Sequence, residues 1–455
     1  MDNWVSNSLN MSDEFEKLVI RVNPPRVTLD NDSSKTATLI KVDSANHQGS
    51  LLNVVQVLTD LNLVIKRAYI SSDGDWFMDV FYVTDQSGNK LAEENVVNII
   101  EESLLRARTS RLLRTVDLSA AVEHTTIELT TIELTGRDRP GLLSDVFAVL
   151  TDLKCNVVAA EIWTHNSRMA SVIYITDEAT GLPIDDPNHL AKIKKLLLYV
   201  LEGNKDNRGA NTAVTVGSTH TGRRLHQMMY ADRDYDTFEA DCETKEDRDK
   251  PVVNVEYFVD KGYTVVNLKC LDRPKLLFDT VCTLTDMQYE VYHGTIITEG
   301  PEAYQEYFVR HTDGYPISSE AERERVIHCL EAAVRRRASE GIRLELCGED
   351  RVGLLTEVTR IFRENGLSVA RAEVTTRGSQ AVNIFYVTET SGGRKVRKET
   401  IEAVRKEIGQ SILQVKADEC SKSPPVEVPV FSLGSLLRTK SEKILSSLGL
   451  KKASP

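Results

Sequence analysis

The chain has 455 residues, 41% hydrophobic and 27% charged, enough for several globular domains with cores of their own. A net charge of −12 makes nucleic acid a poor partner, because a polyanion is repelled unless a basic face is segregated. There is no run of about 18 apolar residues, so no integral membrane segment is expected.

Residues 1–24 are acidic and lack an apolar centre, so they read as neither a secretory signal nor a transit peptide. Residues 25–121 open with two strand patterns, RVTLD from Arg26 and TATLIKV, around the turn signal NDSS. The helix-patterned SLLNVVQVLTDL follows, then a hairpin from AYISSDG to VFYVTD and a second amphipathic helix. Residues 122–216 repeat that order. IELTG is a strand, and Leu142, Leu143, Phe147 and Leu150 recur at helical spacing. AEIWT and SVIYIT flank the polar HNSR as a hairpin, Leu190–Leu201 is helical, and Thr212–Val216 closes the unit. Residues 217–250 form a linker, a helix-like TGRRLHQMMY followed by a solvated acidic stretch, ADRDYDTFEADCETKEDRD.

Residues 251–340 again put a strand in front, VVNVEYF from Val252, then DKG and YTVVNLKC. Their second helix, around Val326–Val334, runs through RRRASEG straight into the next unit. Residues 341–420 hold the fourth unit, closed by Ile412–Lys416. Residues 421–455 form a flexible basic amphipathic tail with Phe431, Leu433, Leu436, Leu437, Ile444, Leu445 and Leu448. Such a segment docks on a partner or an anionic surface, or is simply mobile.

Four segments superpose without gaps: SANHQGSLL from Ser44, TGRDRPGLL from Thr135, CLDRPKLL from Cys270 and CGEDRVGLL from Cys347. The fold class is therefore α+β, four ferredoxin-like βαββαβ units arranged as two duplicated pairs, about 25–216 and 251–418. In each pair the first member takes its fourth strand from in front. A shorter echo, TTIEL at Thr125–Leu129 and again at Thr130–Leu134, is local: only the second copy aligns with strand one of unit four. An odd offset of five turns equivalent side chains to opposite sheet faces.

The loop between strand one and helix one concentrates the chemistry. Gly141 permits close backbone approach, and Pro140 suits a helix entry. The first-turn amides and the positive end of the dipole suit a carboxylate, while Asp138 can accept from an ammonium. That is the charge pattern of a free amino acid. The competing reading is structural: Asp138 caps the helix and Gly with Pro shapes the turn. Ala68, Ala160, Gly294 and Ala372 on strand two either admit a ligand or let a neighbour pack closely.

DRPGLL after an alternating strand, in such a unit, resembles the ACT domain. Four such units with RRLHQMMYADRDY between the second and third resemble the plant ACT domain repeat (ACR) family. The resemblance implies regulatory modules that bind amino acids where two units pack side by side. It carries candidate contacts onto Asn46, His47 and Gly49, onto Asp138, Arg139 and Gly141, and onto Asp350, Arg351 and Gly353. Unit three departs, with Lys275 at the glycine position beside Asp272, Arg273 and Pro274, and a weakened or structural role is expected there.

The expected function is a non-catalytic regulatory protein that senses a free amino acid and signals to a protein partner. Edge-to-edge sheets offer a route to homo-oligomers. The alternatives are a ligand-free interaction scaffold and a nucleotidyltransferase-related enzyme, the latter resting only on Gly217-Ser218 before Asp232 and Asp234. The nine histidines form no catalytic set; His226, His47 and Cys155 read as packing or surface residues. Seven scattered cysteines without a CxxC fit a reduced compartment, cytosol or nucleus. No cofactor or metal site is expected.

Overall fold

Strand and helix periods in the sequence translate directly into elements of a computed structural model. It describes residues 24–73, 75–91, 96–105, 129–203, 210–216, 220–236, 250–258, 262–317, 319–337, 341–390, 396–409 and 412–416. The N-terminal segment, the first TTIEL copy before Leu129, most of the acidic stretch and the amphipathic tail lie outside the described residues.

Unit 1 contains β1 (Arg26–Asp30), β2 (Thr38–Ala45), α1 (Ser50–Asp60), β3 (Val64–Ser71), β4 (Trp76–Thr84) and a helix α2 over 96–105. Unit 2 contains β5 (Thr130–Arg137), α3 (Leu142–Asp152), β6 (Cys155–His165), β7 (Arg168–Asp177), α4 (Pro187–Glu202) and β8 (Asn211–Val216). The linker helix is α5 (Thr221–Ala231). Unit 3 contains β9 (Val252–Phe258), β10 (Tyr263–Leu271), α6 (Leu276–Asp286), β11 (Tyr289–Glu299), β12 (Glu302–His311) and α7 (Glu320–Arg336). Unit 4 contains β13 (Ile342–Glu349), α8 (Leu354–Glu364), β14 (Leu367–Arg377), β15 (Gln380–Glu389), α9 (Lys398–Ile408) and β16 (Leu413–Lys416). The second TTIEL copy is the start of β5.

Two eight-stranded antiparallel sheets result, in the orders β1-β2-β4-β3-β11-β12-β10-β9 and β16-β13-β15-β14-β6-β7-β5-β8. Each unit keeps the ferredoxin-like order, and the front strands β1 and β9 fill the fourth slot beside β2 and β10. The sheets join unit 1 to unit 3 and unit 2 to unit 4, across the two duplicated halves. The seams pair strand two of each unit with strand two of its partner. In the first seam Ala68 lies opposite Ile296 and Gly294 opposite Ile70; in the second Ala160 lies opposite Val374 and Ala372 opposite Ile162. A Cβ on Gly294 would come within 3.3 Å of Ile70 and Tyr307, so the small residues serve seam packing.

Each sheet carries its helices on one face, around cores centred on Phe81, Phe278 and Tyr307 in one sheet and Phe147, Phe362 and Phe385 in the other. The other face of the second sheet is covered from the linker. Leu225, Met228 and Met229 of α5 pack on Trp163, Ala170 and Val172, and α5 and α7 join the helix layer of the first sheet to this face. One expectation is corrected here. Asp234 belongs to the stretch expected to be solvated, but it is fully buried, because Arg336 bonds both its oxygens at 2.6 Å and compensates the lost hydration.

Candidate functional site

All four loops before helix one share a backbone. The residue preceding each helix is left-handed, with φ of 85° at Gly49, 81° at Gly141, 65° at Lys275 and 81° at Gly353. No side chain caps any of the four helices, so Asp138 has no capping bond and the glycine answers a backbone requirement. Lys275 meets the same requirement with a side chain attached. The residue at the aspartate position ties each loop to its hairpin turn: the amides of Asn46, Asp138, Asp272 and Asp350 donate to the carbonyls of Asp75, Ser167, Pro301 and Ser379 at 2.7–2.9 Å.

The arginines reach back to their own helices. Arg139 donates to Asp145 at 2.8 Å and to the Val200 carbonyl, and Arg273 to Asp279 at 2.6 Å and to the Val334 carbonyl at 2.9 Å. Arg351 pairs with Glu357 in the same manner. Each arginine thus fastens its loop to the first turn of its own helix, and in units 2 and 3 to the end of the second helix. His47, at the same position of unit 1, has Nδ1 3.1 Å from the Gln48 carbonyl.

The aspartate positions differ in what they meet. Asn46 donates to Ser72 at 2.8 Å, and Asp350 accepts from Thr376 at 3.0 Å. Burial pushes the Asp138 carboxyl up to about 6, against the pull of the Arg139 amide and guanidinium. Burial also raises Asp272, with Lys66 and the Arg273 amide working against it.

The loops of units 2, 3 and 4 face the partner unit across the seam, with different amounts of room. Beside Asp138, Arg139 and Gly141 lies a crevice of about 20 Å³, closed by Thr359, Phe362 and Arg363. A Cβ on Gly141 would fall 2.5 Å from Arg363 Cδ. Gly353 has Thr151 at 3.8 Å, and Gly49 faces open space. In unit 3, by contrast, a cleft of about 260 Å³ opens between Asp272–Phe278 and the α1–β3 turn of unit 1. Asn62, Leu63, Ile65 and Gln86 form its far wall; Ile296, Thr298, Ala303 and Gln305 form its floor. Room therefore lies beside the loop expected to be weakened, since Lys275 keeps the glycine-like backbone and does not fill the cleft.

The floor carries a second repeated feature. Asp79, Ser171, Gln305 and Asn383 occupy one position of strand three, and all are buried. The Ser71 and Thr375 amides donate to Asp79 and Asn383 at 3.3 Å, and Tyr307 donates to Gln305 at 2.7 Å. Oδ2 of Asp79 has no hydrogen-bond partner, and burial pushes this carboxyl up to about 8.

A buried charge layer joins the units through the linker. His226 lies 2.8 Å from Asp279 and 3.0 Å from Arg336. Burial, helped by Arg336 and Arg337, pulls the His226 ring down to about 4, so it is neutral near pH 7. Arg223 pairs with Asp286 at 2.6 Å, Arg224 with Glu133 at 2.7 Å, and His165 lies 3.1 Å from Asp234. Glu161 and Glu373 stand directly opposite one another at the second seam. Burial alone would raise Glu161, but Arg337 and Arg371 override it and hold it low. Sequence reasoning missed this layer; its trace was the run of arginines ending α7 and the acid Asp279 one turn into α6. Among the described residues no group of three His, Cys, Asp or Glu is placed to hold a metal, and no helix is long and apolar enough to cross a membrane.

Ferredoxin-like units joined seam to seam, each with a left-handed strand-to-helix loop, have the architecture of the ACT-domain class. The ACR family N-terminal ACT domain matches residues 33–111, and the ACT domain matches 130–198 and 342–409. ACT domain-containing protein ACR4 of Arabidopsis thaliana is 56% identical over 96% of this chain and 98% of its own. ACT domain-containing protein ACR5 of the same plant is 55% identical over 97% of this chain and 98% of its own. The chain belongs to the plant ACT domain repeat (ACR) family. Among solved structures, a putative glycine cleavage system transcriptional repressor matches 43% of this chain and 86% of its own at 13% identity, with a TM-score of 0.18.

Proposed function

We propose that this protein is a non-catalytic regulator that binds a free amino acid between paired units and passes the change to a protein partner. The observation that carries the reading is the cleft of about 260 Å³ between unit 3 and unit 1, close to the lower end of the roughly 300–1,000 Å³ range of small-molecule sites. Asp272 is the acceptor for an ammonium. The amides of Leu277 and Phe278, in the first turn of α6, are the donors for a carboxylate. Leu63, Ile65 and Ile296 receive the apolar part of a side chain, and Gln86, Thr298 and Gln305 its polar end. Arg273 acts as a fastener through its two Nη groups, which donate to Asp279 and to the Val334 carbonyl.

The other three loops keep candidate contacts at Asn46, His47 and Gly49, at Asp138, Arg139 and Gly141, and at Asp350, Arg351 and Gly353. The crevice beside Asp138 has room for about one water, so a ligand there requires Arg363 to move. The route to a partner runs through the linker. The amide of Asp138 bonds the turn that holds His165 and Asn166, and these meet Asp234, which Arg336 grips from the end of α7. Calorimetry of the purified chain against all twenty amino acids tests the reading. Saturable binding of one or a few is expected. Silence with all of them at millimolar concentration leaves the ligand-free scaffold as the better account.

A further inference from the structure

A second cavity, of about 490 Å³, lies where three units and the linker meet. Its walls include Asp60 at the end of α1, Glu161 and Tyr174 from unit 2, His220 before α5, Lys275 before α6 and Arg337 after α7. The two acids are already engaged. His220 Nδ1 accepts from the Arg223 amide at 2.9 Å, which leaves Nε2–H to donate to Asp60 at 2.9 Å. Glu161 accepts from Trp163 Nε1 at 2.9 Å and lies 4.0 Å from Arg337. Tyr174 and Thr221 share a hydrogen bond of 2.8 Å.

The cations keep capacity in reserve. Lys275 makes no hydrogen bond or salt bridge among the described residues, although its charge helps hold Glu161 ionised. Arg337 is 4% exposed, yet its Nε and Nη1 have no hydrogen-bond partner, and its closest carboxylate oxygen, on Asp279, is 3.4 Å away. The N-terminal turn of α5 borders the same space through Thr221 and Gly222 and adds the positive end of its dipole. Gly222 makes the approach feasible, since a Cβ there would stand 2.6 Å from Arg337 Nη2. An ammonium without a hydrogen-bond partner, a buried guanidinium with unmet donors and a helix N-terminus around one cavity match an oxyanion.

We propose that this chamber is a second ligand site, separate from the inter-unit cleft, which binds a small organic anion through a carboxylate or phosphate group. Residues of units 1, 2 and 3 and of the linker would then hold one ligand in common. Lys275 borders both cavities, so the substitution that sets unit 3 apart serves the chamber.

Calorimetric titration of the full chain with inorganic phosphate, and separately with succinate, in about 0.15 M salt to screen surface charge tests this. Saturable binding is expected: phosphate alone identifies a phosphate-bearing ligand, succinate alone a carboxylate, and both a shared oxyanion site. Lys275→Gly relieves a left-handed lysine and keeps the fold, and should weaken binding roughly ten- to hundredfold. Gly222→Ala should weaken it too, by displacing Arg337. Asp272→Asn, in the cleft, should leave anion binding unchanged while impairing amino-acid binding, so the two sites fail separately. No saturable heat with either probe overturns the proposal. So does unchanged affinity in Lys275→Gly, or loss of anion binding in Asp272→Asn.

Discussion

Lys275 takes the left-handed backbone that glycine takes in the other three loops. A non-glycine residue with φ of 65° is strained by about 1–2 kcal/mol. Lys275→Gly should therefore raise stability by about 1 kcal/mol net of glycine's extra unfolded-state entropy, seen as a higher midpoint in urea. Asp79 gives a test through pH. Its folded value, about 8, lies above the ordinary 3.8, so the stability contributed by its neutral form is complete below pH 3.8 and is lost as pH rises to about 8. Unit 4 carries Asn383 at the same position. Asp79→Asn should match the parent near pH 4 and melt at a higher temperature than it at pH 8, so the difference between the two melting curves should widen with pH. The raised Asp79, like the raised Asp138, was invisible in the sequence, because burial depends on neighbours far along the chain.

At the scale of elements, periodicity made most of the fold legible. The front strands Arg26–Asp30 and Val252–Phe258 and the closing strands Asn211–Val216 and Leu413–Lys416 fall within a residue of their expected positions, because alternating β-branched residues bounded by turn signals determine strands locally. The linker helix was legible as a helix, but its burial was not. TGRRLHQMMY has a polar appearance, and only the opposing Glu133, Asp279 and Asp286 turn its charges into internal contacts. Arg336 is the clearest case. Arg336→Met leaves Asp234 buried with its strongest partner gone, and should cost about 3–5 kcal/mol in chemical denaturation. Pairing it with Asp234→Asn should recover much of that loss, since the cost arises from the unpaired charge rather than from the missing bond.

For the whole molecule, the repeat revealed four units and their duplication but not which edges meet. Strand two of any unit could pair with strand two of any other on pattern alone, because all four are alternating strands with a small residue near the middle. The observed pairing of unit 1 with 3 and unit 2 with 4 interlocks the halves through both sheets. Residues 24–216 and 250–416 produced separately would each expose two strand edges that are paired in the full chain. Refolded together, they should elute as a one-to-one complex on size exclusion, whereas either half alone should self-associate. Two independent monomeric halves would contradict the interlocked architecture.

The same interlocking makes the cleft between units 3 and 1 a joint site, and hydrogen–deuterium exchange reads it most directly. On adding the amino acid that binds, amides in 59–65 of unit 1 and in 272–278 of unit 3 should gain protection together, because both walls of the cleft close on one ligand. Protection confined to another loop, or no change in either segment at saturation, would contradict a sensing site built at that seam.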